Sequence, residues 1–105
     1  MSETPSFPVV DCPHGVKRQV LSENPDLMVV SFSFPEGGMG DLHHHEHVQA
    51  TYVESGTFTF TVGDTTFEVS AGDSFVIPSN AVHGCVCLEA GRLIDSFTPR
   101  RDDFL

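Results

Sequence analysis

Residues 57–69 decide the fold class, and they read TFTFTVGDTTFEV. Polar residues alternate with phenylalanine or valine, which gives the period of two that a half-buried β-strand requires. Gly63-Asp64 separates two such runs, and a dipeptide of this kind is a specific signal for a two-residue hairpin turn. The stretch therefore predicts an antiparallel hairpin in which Phe58 and Phe60 share one face and pack into a core.

The same alternation extends outward on both sides of this hairpin, between short clusters of glycine, proline, asparagine and aspartate. The i, i+3, i+4 spacing of an amphipathic helix is not found in the sequence. The fold class is therefore all-β, and the regular spacing of the strands favours a closed sandwich or barrel. The predicted strands are residues 27–34, 49–55, 57–62, 65–69, 74–77, 84–89 and 92–97.

Length and composition indicate one small folded domain. The chain has 105 residues, of which 39% are hydrophobic, so it has enough apolar surface for a core but not for two. We expect a single domain over 1–105, with an N-terminal arm and edge strands in 1–25, the barrel in 26–99 and a C-terminal tail in 100–105. The exposed sheet edges of so small a barrel tend to pair with another strand. This favours a homodimer in which residues 7–10 form an exchanged or covering strand.

Charge and cysteine usage exclude several classes of function. Five Lys and Arg residues stand against fifteen Asp and Glu residues, a net charge of −10 that disfavours nucleic acids and anionic membranes as partners. The N-terminus does not resemble a secretion signal, and no apolar stretch is long enough to span a membrane, so we expect a cytoplasmic protein. Cys12, Cys85 and Cys87 are predicted to be free, largely buried thiols.

Residues 41–49 read DLHHHEHVQ and contain four of the six histidines. If this segment is extended, His43, His45, His47 and Gln49 project to one face, and His83 on another strand can lie opposite them. Neutral imidazoles and a carboxamide suit one divalent ion such as Zn, Ni, Fe, Mn or Co. The alternatives are a solvated histidine-rich loop and a surface chelating patch. His44 and Glu46 are expected to face away, and His14 to belong to no cluster.

Two stretches resemble the conserved motifs of the cupin family. Residues 40–56, GDLHHHEHVQATYVESG, resemble the first cupin motif, and residues 72–83, GDSFVIPSNAVH, resemble the second. Asn80 replaces a glycine of that second motif, which asparagine can do because it tolerates the left-handed conformation. The resemblance implies a small cupin β-barrel, also called a jelly roll or double-stranded β-helix. It also implies the metal ligands His43, His45, Gln49 and His83.

The ligand set departs from the commoner cupin pattern at Gln49, which stands where a glutamate is usual. A neutral amide leaves the site one charge more positive than a carboxylate would. This favours an anionic or hydroxyl-rich ligand.

The C-terminal residues 92–105, RLIDSFTPRRDDFL, are similar to the closing segment of the KdgF family of pectin-degradation cupins. This resemblance implies metal-dependent conversion of cyclic 4,5-unsaturated uronates, from pectin or alginate, into linear ketonised 4-deoxy-5-keto-uronate. It implies that Asp95 is a general acid/base and that Arg101 clamps the substrate carboxylate in a bidentate fork. The further substrate contacts that it implies are Phe97, His47 and Tyr52.

Several alternatives remain open from the sequence. Asp95 could instead be a strand-end residue paired with Arg92 or Arg100 at the surface, and His47 could have a packing role. At the level of the whole protein, another metal-dependent cupin enzyme, such as an iron dioxygenase, would use the same four ligands. The other alternative is that the protein is not an enzyme but a sugar-binding cupin without catalytic activity.

Overall fold

The computed structural model describes residues 6–105 and confirms the all-β prediction; residues 1–5 of the expected N-terminal arm lie outside the described residues. Single 3-10 turns at Pro13–Gly15 and Asp102–Phe104 are the helical elements within this range, and no helix in it is long and apolar enough to cross a membrane. The strands are β1 (Val10–Asp11), β2 (Lys17–Asn24), β3 (Leu27–Phe34), β4 (Met39–His43), β5 (Val48–Val62), β6 (Thr65–Ser70), β7 (Ser74–Ile77) and β8 (His83–Thr98).

The strands form two antiparallel sheets that share the long strands β5 and β8. One sheet has the order β1-β2-β3-β8-β5-β7 and uses the second half of β8 and the first half of β5. The other has the order β4-β8-β5-β6 and uses the remaining halves. Because both long strands pass from one sheet to the other, the sheets face each other as the jelly roll expected from the sequence.

The bends in β5 and β8 occur where the sequence predicted turns between separate strands. Gly56 has φ +83°, and its missing Cβ would lie 2.5 Å from the carbonyl oxygen of Glu89. A Cβ on Gly91 would lie 2.1 Å from the carbonyl oxygen of Ser55. The two glycines therefore permit a close backbone crossing inside continuous strands. The predicted ends of strands at residues 55 and 89 were therefore wrong, since β5 and β8 continue through these positions.

The inward faces of the two sheets supply the core. Phe58 and Phe60 are 0% and 3% exposed, as the alternation of the hairpin predicted. At the other end a smaller cluster is formed by Met28, Val30, Phe97 and Val20, and Phe7 packs against it. The Nε2 of Gln19 also donates a hydrogen bond to the carbonyl oxygen of Phe7. Phe7 of the N-terminal arm thus covers the barrel of its own chain.

The three cysteines are free thiols, as predicted. Cys85 and Cys87 lie two residues apart on β8, so both point inward and cannot easily face each other for a disulfide. Burial raises the pKa of the Cys85 thiol to about 12. This thiol is therefore protonated and unreactive at neutral pH.

Candidate metal centre and cavity

The fold brings together the two histidine-bearing stretches of the sequence. His43 at the end of β4 lies directly opposite His83 at the start of β8, and their ring centroids are 4.4 Å apart. Residues 44–47 form a loop rather than the extended strand considered above, since β4 ends at His43 and β5 begins at Val48. This loop places His45 4.9 Å from the His83 ring. One ligand atom from each of the three histidines lies within 4.8 Å of the others.

The turn that precedes β8 helps to fix this arrangement. Asn80 has φ +63°. It therefore adopts the left-handed conformation, which was expected because asparagine tolerates it in place of the glycine of the second cupin motif. Its main-chain N–H donates a hydrogen bond of 2.8 Å to the carbonyl oxygen of His45. The second cupin-like stretch is thereby tied directly to the first.

Main-chain carbonyls orient all three imidazoles. The Nδ1 atoms of His43, His45 and His83 lie 2.7, 2.9 and 2.9 Å from the carbonyl oxygens of Asp41, His47 and Ala81. A carbonyl oxygen only accepts, so each Nδ1 carries the proton and each Nε2 keeps a free lone pair. Burial lowers the pKa of His45, and it lowers the pKa of His83 to about 4, which keeps both rings neutral. Neutral rings with free Nε2 atoms are the form that binds a metal.

Gln49 completes the donor set. Its side-chain Nε2 donates to Thr51 Oγ1 at 3.0 Å, which turns Oε1 toward His45, where it lies 3.0 Å from Nε2. Two atoms that both act as acceptors therefore face each other inside the barrel. A divalent cation among these lone pairs removes that conflict, and imidazole nitrogen with carboxamide oxygen suits Zn, Ni, Fe, Mn or Co. His43, His45, Gln49 and His83 thus fit a metal ion.

A cavity of about 250 Å³ is lined by three of these donors, His43, Gln49 and His83, and Asp95 lies in its wall. Leu93, Asp95 and Phe97 take successive inward positions on β8, so the carboxyl group is only 5% exposed. Burial raises the pKa of Asp95 to about 7, against a smaller opposing effect of Thr51 and Gln49. The Oδ1 atom is buried without a hydrogen-bond partner among the described residues. A buried carboxyl with a free oxygen is suited to proton transfer near neutral pH.

The surface ion pair considered for Asp95 is not formed. Arg92 instead lies 3.3 Å from Glu54, and Arg100 pairs with Glu23 and Asp102, each at 2.7 Å.

Arg101 brings a positive charge to the same cavity. Its side chain is 12% exposed, and the guanidinium carbon lies 5.2 Å from the centre of the Phe97 ring. Phe97 also lines the cavity and packs edge-on against His45, with ring centroids 5.7 Å apart. The structure therefore gathers Asp95, Arg101 and Phe97 around one space beside the candidate metal ligands.

His47 and Tyr52 are placed differently from the other candidates. The His47 ring packs against His45 with centroids 5.6 Å apart, and its carbonyl oxygen orients that ligand, so its placement supports a packing and positioning role. Gln49 and Thr51 point inward from β5, and Tyr52 between inward positions therefore points outward, where it is 47% exposed. Tyr52 therefore does not line this cavity, where a substrate contact was expected for it.

Some residues that lie at the site were not predicted from the sequence as site residues. His14 lines the cavity mouth, and its Nε2 lies 3.1 and 3.2 Å from the two carboxylate oxygens of Asp41. Sequence offers no signal for this pair, because the contact joins residues 27 positions apart. Asp103 and Phe104, by contrast, lie within the quoted C-terminal pattern, and both contact Arg101.

Comparison with known proteins shows the family to which this chain belongs. The cupin domain family model matches residues 30–97, which include all four donors. The pectin degradation protein KdgF of Dickeya dadantii (strain 3937) is 39% identical over 93 residues, which are 87% of this chain and 84% of that protein.

Two solved structures share both the fold and a substantial part of the sequence. KdgF from Halomonas sp. superposes with a TM-score of 0.89 at 38% identity, covering 96% of this chain and 98% of the other. An RmlC-like cupin from Shewanella frigidimarina NCIMB 400 superposes with a TM-score of 0.90 at 41% identity, covering 94% and 89%. The chain therefore belongs to the cupin family and, within it, to the group of the pectin-degradation protein KdgF.

Proposed function

We propose that this protein converts cyclic 4,5-unsaturated uronates, released from pectin or alginate, into linear 4-deoxy-5-keto-uronates in a metal-dependent reaction. The observation that carries the proposal is the buried carboxyl of Asp95, which shares one cavity with the histidine cluster and Arg101. The relationship to KdgF proteins supports a role in pectin degradation. At about 250 Å³ the cavity is smaller than the roughly 300 to 1,000 Å³ of pockets for drug-sized ligands, which suits a monosaccharide.

The substrate's functional groups match the residues around the cavity. It carries a carboxylate at C6, ring hydroxyls, a hemiacetal at C1 and an enol ether at C4 and C5. The Arg101 guanidinium is the group suited to the carboxylate. A metal ion held by His43, His45, Gln49 and His83 supplies Lewis acidity toward the hydroxyl oxygens of the sugar. The apolar Phe97 ring shapes the wall against which the sugar lies.

The reaction is an isomerisation in which one proton changes position. The hydroxyl proton on O1 is removed, the bond between C1 and the ring oxygen breaks, and C1 becomes an aldehyde. The electron pair released to the ring oxygen leaves an enolate at C5, which becomes the ketone when C4 receives a proton. We assign the proton transfer at C4 to Asp95, since its pKa of about 7 keeps much of it protonated near neutral pH. The balance requires neither an oxidant nor water.

The test follows the loss of the ultraviolet absorbance of the unsaturated bond. The substrate is prepared with a pectate or alginate lyase and an oligouronide hydrolase, and the spontaneous rate is subtracted. Protein reloaded with Zn, Ni, Mn, Co or Fe should accelerate the loss, and chelated protein should not. Asp95→Asn should lower the rate about a hundredfold or more, as expected for a lost acid/base. Asp64→Asn, in the exposed hairpin turn, is the matched control and should keep the wild-type rate.

The same assay separates the alternatives. An iron dioxygenase would consume oxygen and work only with Fe(II), whereas the proposed isomerisation gives the same rate with and without oxygen. A sugar-binding cupin without activity would show no acceleration with any metal. Either result would refute the proposed reaction.

A further inference from the structure

The guanidinium of Arg101 is held by its own C-terminal neighbours. Its Nε and Nη2 atoms donate hydrogen bonds of 3.0 and 2.8 Å to the two carboxylate oxygens of Asp103. The Arg101 guanidinium accordingly lowers the pKa of Asp103. This two-point contact fixes the rotation of the guanidinium within its own plane.

Two aromatic rings and a second arginine fix the orientation of that plane. The Arg101 guanidinium carbon lies 4.2 Å from the centre of the Phe104 ring and 5.2 Å from that of Phe97. Arg18 also lies over the Phe104 ring, at 4.1 Å. Phe104 is held in turn by edge-on contacts to Phe97 and Phe32, at 5.8 and 6.1 Å. The 3-10 turn Asp102–Phe104 is therefore fastened beside the cavity, with Phe104 and Arg101 both in the cavity wall.

One edge of the guanidinium remains available. A guanidinium can bind a carboxylate through its Nε and Nη2 edge or through its Nη1 and Nη2 edge. Asp103 uses the first edge. The Nη1 atom has no hydrogen-bond partner among residues 6–105, and it is not a buried atom. Nη1 is therefore accessible, and Arg101 keeps a complete second edge for another carboxylate.

We propose that Asp103 is a positioning residue that, with Phe104, presents the free Nη1 and Nη2 edge of Arg101 to the carboxylate of a sugar acid. The inference rests on the proposed function, because it takes Arg101 as the group that binds the substrate carboxylate. It adds a role for the C-terminal turn, which prepares the binding group before the substrate arrives. A binding group that is already ordered loses less entropy on binding than a mobile arginine does.

Electrostatics alone predicts the opposite effect of removing Asp103. The carboxylate of Asp103 repels an anionic substrate, so a neutral side chain should then tighten binding. If Asp103 positions Arg101, its loss should weaken binding instead. The direction of the change therefore discriminates between the two accounts.

The experiment measures binding of galacturonate and of galactose to metal-loaded protein by calorimetry. The two sugars differ in the carboxylate, and galacturonate lacks the unsaturated bond that reacts. We expect Asp103→Asn to weaken galacturonate binding about three- to tenfold and to leave galactose binding unchanged. Asp103→Glu should restore part of the loss. The matched control is Asp102→Asn, because Asp102 lies in the same turn but pairs with Arg100 at 2.7 Å.

A double-mutant cycle tests whether the effect passes through Arg101. In an Arg101→Lys background, where no two-point contact is possible, Asp103→Asn should change galacturonate affinity by less than about twofold. Unchanged or tighter galacturonate binding in Asp103→Asn alone would overturn the proposal, as would equal affinity of the wild type for the two sugars. Because these are binding measurements, they stay informative even if the proposed turnover is absent.

Discussion

At the scale of single residues, Asp95 is a carboxyl group buried in the cavity wall. It is buried beside Thr51, Gln49 and Cys85, and its pKa rises from 3.8 to about 7. The folded state therefore holds this proton more tightly than the unfolded state does. The resulting stabilisation is complete below the unfolded pKa, and it is lost as the pH rises through the folded pKa.

This difference predicts a pH-dependent effect of Asp95→Asn on the stability of the chelated protein. Between about pH 5 and about pH 8 the wild type should lose about 2 to 3 kcal/mol relative to the variant, whose amide does not titrate. Urea denaturation of both proteins at the two pH values measures the change. A pH-independent difference between the proteins would contradict the raised pKa.

Only some of the residues at the candidate site could be predicted from the sequence. His43, His45, Gln49 and His83 could be proposed as metal ligands because each lies in a short motif with fixed spacing. The outward orientation of Tyr52 could not be predicted, because it depends on which residues of β5 point inward, and Gln49 and Thr51 already take those positions. The contact between His14 and Asp41 depends on the tertiary fold alone.

At the scale of elements, the bends of β5 and β8 position the site. Gln49 and Thr51 lie before the bend of β5, while Asp95 lies after the bend of β8, directly opposite Thr51. His83 lies in the other half of β8, beside His43. The backbone crossing at Gly56 and Gly91 therefore brings the candidate metal ligands close to Asp95.

We therefore expect Gly91→Ala to be strongly destabilising. Its Cβ would overlap the backbone of Ser55 and Gly56 at 2.1 to 2.6 Å, which should cost about 3 kcal/mol or more. Gly40→Ala is the control, because its Cβ would meet Cys85 Sγ at an ordinary 3.4 Å and should cost much less. Thermal denaturation measures both, and equal stability of the two variants would argue against a close crossing.

Strands were predictable where burial imposes alternation and not elsewhere. The bounds predicted for residues 27–34 and 74–77 match β3 and β7. By contrast, β2 was expected only as an edge strand somewhere in 1–25, and β4 was not predicted as a strand, because β2 has one buried residue, Val20, and β4 has none. Strands that bury so little carry little hydrophobic alternation to detect. The tight crossing at Gly56 and Gly91 went unrecognised because glycine is also typical of turns.

At the scale of the whole molecule, the net charge of −10 opposes the approach of an anionic substrate. Binding of an anionic substrate therefore depends on local positive charge in the cavity, from Arg101 and from a bound divalent cation. Galacturonate affinity of the metal-loaded wild type should be higher than that of the chelated protein for this reason.

We also expect the protein to be a homodimer, since β6 and β7 lie at the edges of the two sheets and exposed edges tend to pair. Sedimentation equilibrium at micromolar concentration should then give twice the 11.4 kDa of the chain. A mass that stays at that of the single chain across the concentration range would contradict this expectation.

The role of Asp95 in a uronate-linearising reaction is tested most directly by following the proton at C4 with NMR in deuterium oxide. If a fixed carboxyl delivers that proton, metal-loaded wild type should form the linear 5-keto product with deuterium in one of the two C4 positions. Asp95→Asn should form it no faster than the spontaneous reaction, which labels both positions. Wild-type product that forms at the spontaneous rate, with label in both positions, would contradict the assignment of this cavity as a uronate-linearising site.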